Sequence, residues 1–161
     1  MSKWDQAEGL LKELPQEVRG FLPRSRAMQE AYAKVYDFAR NDMPILLHGP
    51  TGTGKEYLAR FYYRALEFWR KKSSEPIGHF HPLNCAGLSE TIAASDLFGI
   101  EERIATGVWG RPGLFQIAED GVLFLDEIGD LSPKGQGDLL RVLEDGAFRM
   151  VGGTELVGSP E

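Results

Sequence analysis

Cysteine is almost missing from this chain. Cys85 is the only one in 161 residues, so no internal disulfide can form. That scarcity suits a reducing cytoplasm, and Cys85 itself reads as a small buried hydrophobe rather than a catalytic thiol. Long apolar runs are missing too. No stretch approaches the roughly 20 residues that cross a bilayer, so no membrane contact is expected. Positive charge is not in excess: 18 Lys and Arg face 24 Asp and Glu, a net charge of −6. That balance argues against broad nonspecific binding to nucleic acid or to membranes. The polar start Met1-Ser2-Lys3-Trp4-Asp5 carries no secretory leader signal. Internal repeats and low-complexity tracts are absent, as is any Ser/His/Asp or Cys/His spacing of a nucleophilic site. His48, His79 and His81 make no metal-ligand pattern with Cys85.

Glycine, by contrast, is plentiful, with 19 residues, and it concentrates in Gly49-Pro50-Thr51-Gly52-Thr53-Gly54-Lys55. This run lies between the apolar Ile45-Leu46-Leu47 and a helical pattern that begins at Glu56. Strand, glycine loop, lysine and helix in that order are the arrangement of a phosphate-binding P-loop. Glycines let the backbone turn its amides inward, the helix adds free N–H groups and a positive dipole end, and Lys55 adds a mobile cation. Gly49 to Lys55, with Glu56 behind them, are therefore the candidate nucleotide contacts. The competing reading is a structural turn that caps a strand.

The apolar spacing predicts further elements. Residues 5–20 suggest a short amphipathic helix, interrupted by Pro15, with a linker at 21–25. A helix near 26–40 carries Met28, Ala31, Tyr32 and Val35. Ile45–His48 reads as a central parallel strand, and a helix from about Glu56 to Lys72 buries Leu58, Phe61, Tyr62, Ala65, Leu66 and Trp69. A strand is expected over His79–Asn84 and a short helix near Ser89–Phe98. Residues 100–112 read as irregular, and one or two helical turns follow in Gly113–Glu119. Val122-Leu123-Phe124-Leu125 is the strongest buried-strand signal. Ser132-Pro133 starts a helix that Gly146 stops, and Phe148–Val157 resembles a hairpin. Strands alternating with helices mean an α/β domain with a mainly parallel sheet.

Asp126 and Glu127 end the Val122 strand, at the sheet edge where ligands of such folds bind. Phosphoryl chemistry needs a metal to offset charge and a group to orient water. Asp126 suits Mg²⁺ and Glu127 suits the water; the alternative is a solvated strand end or helix cap. Asn84, ending its own strand, either bonds Glu127 across neighbouring strands or serves as a turn residue. Glu56 stands where P-loops usually place Ser or Thr, so it either touches the metal shell through water or merely begins the helix. Trp109 is the one tryptophan placed on a predicted loop.

As a set, these segments resemble the AAA+ central domain of bacterial enhancer-binding proteins, the sigma-54-dependent transcriptional activators. The resemblance is carried by Gly52-Thr53-Gly54-Lys55-Glu56, Asn84-Cys85-Ala86, Asp96-Leu97-Phe98-Gly99 and Arg111-Pro112-Gly113-Leu114-Phe115. It continues through Gly121–Asp130, Leu139–Glu144 and Val151-Gly152-Gly153-Thr154, and it covers about residues 21–157. Glu56 after the lysine fits this family. The resemblance implies a P-loop NTPase that hydrolyses ATP with Mg²⁺ in a ring, usually a hexamer, to remodel a closed promoter complex. It gives Lys55 to the phosphates, Asp126 to Mg²⁺ and Glu127 to the catalytic water. It makes Asn84 a switch that pairs with Glu127, and sets residues 21–26 around adenine. Residues 1–20 would be an N-terminal helix and linker, and 21–161 a partial AAA+ domain.

Two departures from the family pattern stand out. The family's Gly-Ala-Phe-Thr-Gly-Ala loop aligns with Arg103-Ile104-Ala105-Thr106-Gly107-Val108, so alanine replaces the aromatic. The partner met by residues 103–108 is thus a sigma factor of RNA polymerase or another protein. The family domain also continues with two more strands, a polar sensor, arginine fingers and a helical lid. Their absence suggests a truncated piece with weak turnover, which meets DNA only through a domain outside it. Two other functions compete: a nonhydrolytic nucleotide-sensing or interaction module, and an AAA+ remodeller outside transcription.

Overall fold

The computed structural model describes residues 12, 14–20, 23, 25–102 and 109–158. The chain forms two compact units, Met1–Ile77 and Gly78–Glu161. Residues 5–11 and 13 of the helix expected over residues 5–20, residues 21, 22 and 24 of the expected adenine pocket, and the whole 103–108 segment lie outside the described residues.

The first unit is built on two helices, α2 (Arg26–Arg40) and α3 (Lys55–Ser73), preceded by the single turn α1 (Gln16–Arg19). Pro15 stands at the start of α1, where its missing N–H costs nothing. Ser25 caps α2, its hydroxyl accepting from Met28 N at 3.3 Å. The helices meet through the stripes their spacing predicts: Tyr32, Val35, Tyr36 and Ala39 of α2 are buried, as are Leu58, Phe61, Tyr62, Ala65 and Leu66 of α3. Tyr32 and Phe61 pack at 4.6 Å between ring centroids, and Tyr36 and Trp69 at 5.7 Å. Leu14 and Val18, beside and within α1, are also buried. Arg70, Lys71 and Lys72 lie in the last turn of α3, where cations offset the helix dipole.

Ile45–His48 is not a strand, contrary to the sequence-based expectation. Its apolar pattern suits a sheet centre, but a strand exists only through its ladder. Among the described residues these four have no backbone partners, and Leu46 is 77% exposed. The segment is held from its entry side instead. The Tyr62 hydroxyl of α3 donates to Met43 O at 2.9 Å.

The second unit holds a parallel pair, β1 (Phe80–Asn84) and β2 (Val122–Asp126), with Asn84 opposite Asp126 in the register. Between them run α4 (Glu90–Phe98) and the single turn α5 (Leu114–Ile117). After β2 come a 3₁₀ turn (Ile128–Asp130), α6 (Pro133–Asp145), and the short antiparallel strands β3 (Phe148–Arg149) and β4 (Leu156–Val157). Ser89 and Ser132 cap α4 and α6 through Ile92 N and Gly135 N. Gly146 closes α6 in the left-handed conformation. Cys85, Ala93, Leu97, Phe98 and Leu131 form the core, with Leu83, Leu123, Leu125, Leu139 and Val142 packed on it. Every β2 residue is only half-buried, because among the described residues its sheet offers it one neighbour rather than two.

Candidate nucleotide-binding site

The phosphate loop lies in the first unit. Gly52 and Gly54 have φ of 81° and 86°, a region that a side chain disfavours, so glycine makes the turn into α3 possible. The Thr53 hydroxyl donates to Pro50 O at 2.7 Å and ties the loop across itself. Helix α3 begins at Lys55, and its first intrahelical bond runs from Leu58 N to Gly54 O at 3.1 Å. The early N–H groups of a 19-residue helix therefore open at the end of the loop. Lys55 folds over the loop mouth, its ammonium donating to Gly49 O at 3.1 Å and Pro50 O at 3.3 Å. Glu56 is exposed and pairs with Arg60 one turn on, at 2.7 Å. Of its two sequence readings, that geometry favours the helix-opening one.

The acidic pair lies in the second unit. Asp126 is the last residue of β2, and its Oδ1 accepts from Glu127 N at 3.0 Å. Glu127 is left-handed, with φ of 52°. A non-glycine residue rarely accepts that conformation, which turns the chain out of the strand into the 3₁₀ turn. Asn84 sits beside Asp126 on the adjacent strand, but its side-chain oxygen accepts from Ala86 N at 2.8 Å. No Asn84–Glu127 hydrogen bond forms among the described residues; the asparagine makes the turn its sequence alternative names. Burial raises the pKa of the Cys85 thiol, and the carboxylates of Asp126 and Asp130 push it the same way. His79 and His81 share a face with rings 6.3 Å apart. Among the described residues no group of three or more His, Cys, Asp or Glu could hold a metal unaided.

One feature escaped the sequence reading: the neck of the loop over residues 102–110. Ile100 pairs antiparallel with Arg111 and parallel with Val151, so three backbone segments close the loop's base. The Arg111 guanidinium donates to Ser95 Oγ at 3.0 Å and Asp96 Oδ1 at 2.7 Å, fastening the neck to α4. Gly99 and Gly113 cross so closely that a Cβ on Gly113 would lie 2.4 Å from Gly99 N. Phe98, beside Gly99, stacks on Phe115 with centroids 5.7 Å apart, and Phe148 tilts against both rings at 5.6–5.7 Å. The signal was available in Gly99, Arg111 and Gly113, which were legible only as family segments.

Comparison with known proteins agrees with these features. The family model described as "Sigma-54 interaction domain" matches residues 21–159. The chain is 45% identical over 134 residues to the Nif-specific regulatory protein of Herbaspirillum seropedicae, which covers 83% of this chain and 23% of that protein. It is 42% identical over 144 residues to the same-named protein of Rhodobacter capsulatus, covering 89% and 24%. Thus the chain spans about a quarter of the length of the curated relatives it matches. Crystal structures of NtrX from Brucella abortus with ADP and with ATP match at 31% identity, with TM-scores of 0.66 and 0.65. Each covers 85% of this chain and 28% of NtrX. The fold is α/β, of the AAA+ P-loop NTPase type, with helices flanking a parallel sheet. The chain belongs to the Sigma-54 interaction domain family.

Proposed function

We propose that this chain is the ATP-binding core of an ATPase domain in a sigma-54-dependent transcriptional regulator, coupling nucleotide binding and hydrolysis to remodelling of a transcription complex. The observation that carries this reading is the loop from Gly49 to Lys55, wrapped by its own hydrogen bonds and opening directly into α3. The nucleotide-bound NtrX structures support ATP and ADP as ligands. In this reading the amides of residues 50–55 cradle the phosphates. Lys55 exchanges its two carbonyl partners for phosphate oxygens, which hold a cation more strongly. Glu56 supports the helix start through Arg60.

Asp126 suits Mg²⁺. It offers a hard oxygen donor at a strand end, and only one of its carboxylate oxygens is taken up by Glu127 N–H. A Mg²⁺ held by this carboxylate would supply positive charge to offset that of a phosphate. Glu127 would orient and deprotonate the attacking water, and Asn84, beside Asp126, would relay nucleotide state to it once its carboxamide leaves Ala86. The partner is a sigma factor engaged through the 103–108 segment, within a homo-oligomeric ring that meets DNA through another part of the whole protein. Such a regulator works in the cytoplasm; no described helix is long and apolar enough to cross a membrane. Residues 1–20 act as a linker and 21–161 as the nucleotide-binding part. One observation favours a second reading, a nonhydrolytic sensor: the Asn84 carboxamide is committed to Ala86.

Titration calorimetry with Mg-ATP and phosphate-release assays separate the two. Lys55→Ala should weaken ATP binding roughly 10–100-fold, the worth of hydrogen bonds to a charged group. Glu127→Gln should bind ATP normally and lose phosphate release. Unchanged binding in Lys55→Ala would refute the site. No phosphate release from wild type at any concentration would favour the sensor.

A further inference from the structure

Trp109 is 83% exposed, the most exposed of the large hydrophobic side chains in the described residues. Trp69, by contrast, is half-buried and packed between Tyr36 and Phe68. A single exposed hydrophobe is ordinary on a protein surface. Trp109 differs in how its backbone is held. The next residue, Gly110, lies so close to the opposite limb that a Cβ there would be 2.9 Å from Glu102 Cα. One residue further on, Arg111 is bridged to Ile100 and fastened by its guanidinium to Ser95 and Asp96. The indole therefore belongs to the residue immediately beyond the pinned neck. A large amphipathic ring on a preordered backbone loses little entropy when it is buried by a partner.

We infer that Trp109 is the ring with which this chain grips its target protein, in place of the aromatic that Ala105 lacks. The partner surface it fits is an apolar pocket of indole size on the sigma-54 protein. This rests on the sigma-54 reading above and adds the residue that carries the contact. A tryptophan buried at an interface centre is the commonest kind of residue whose truncation costs most of the affinity.

The test measures binding of the purified chain to purified sigma-54 by fluorescence anisotropy, with Mg-ATP present. Calorimetric ATP affinity is measured on the same variants. Trp109→Ala should weaken sigma-54 binding about 30-fold or more while ATP affinity stays at the wild-type value. Trp109→Phe should stay within about threefold of wild type, since a ring remains. Ile92→Ala, which trims an exposed apolar side chain on α4, should change nothing. If Trp109→Ala binds as wild type does, the inference fails and the sigma-54 reading stands. An equal loss in Ile92→Ala also overturns it, because general surface stickiness then explains the binding. If wild type does not bind at all, the sigma-54 reading falls and takes this inference with it.

Discussion

Tyr62 ties the phosphate loop's approach to the core of the first unit. Its hydroxyl donates to Met43 O, and burial, helped by the nearby Asp42 carboxylate and opposed by Arg70, pushes its pKa up to about 12. In the unfolded chain a tyrosine titrates near pH 10. Between about pH 10 and about 12 the unfolded state has therefore released a proton that the folded state keeps, and stability falls as pH rises through that window. Chemical denaturation at stepped pH should show this decline in wild type and a shallower one in Tyr62→Phe. At neutral pH Tyr62→Phe should cost about 1–3 kcal/mol, because Met43 O loses its donor. At the same scale, Glu127 keeps a left-handed backbone at the position expected to face the water. At residue level, Lys55, Asp126 and Glu127 stand out as candidates from their places after apolar runs. Such placement could not decide how Glu56 and Asn84 are engaged, because both depend on which neighbour a side chain turns toward.

Among the elements, the neck of the 102–110 loop leaves least room for change. Gly113→Ala would drive a methyl group onto Gly99 N and the carbonyl of Leu97, all main-chain atoms that cannot step aside. Its cost should lie at or above the upper end of the roughly 1–3 kcal/mol typical of overpacking. A thermal melt of the variant checks this, with Gly137→Ala as the contrast, since a Cβ there meets nothing within 4 Å. The helices were legible in the sequence because their signals are local. Ser132 caps where the sequence predicts it, Ser25 and Ser89 cap as well, and α2, α3 and α6 end within a residue or so of their predicted limits. Among the described residues, the strand expected at Ile45–His48 was misread. Its three apolar residues, Ile45, Leu46 and Leu47, give a strand's composition, but a ladder is made by distant chain and carries no local signature. The loop neck was hidden for the same reason: Ile100, Arg111 and Val151 are brought together by folding, not by spacing.

At the scale of the molecule, nucleotide binding and folding are linked. A ligand that binds only the folded chain stabilises it by about 2.7 kcal/mol at a hundred times its dissociation constant. Saturating ATP with Mg²⁺ should therefore raise the melting temperature by several degrees. EDTA should remove most of that gain, and Asp126→Ala should be insensitive to the metal; an equal gain in EDTA would remove Mg²⁺ from the assignment. The phosphate loop and the acidic pair belong to separate compact units, Met1–Ile77 and Gly78–Glu161. The bare backbone of Ile45–His48 also bears on how the protein must be handled. That backbone, which has no backbone partner among the described residues, and the protruding Leu46 offer a template to any extended peptide in reach. Concentrated stocks will therefore tend to clump through this stretch, and a lysine in place of Leu46 would keep the sample dispersed.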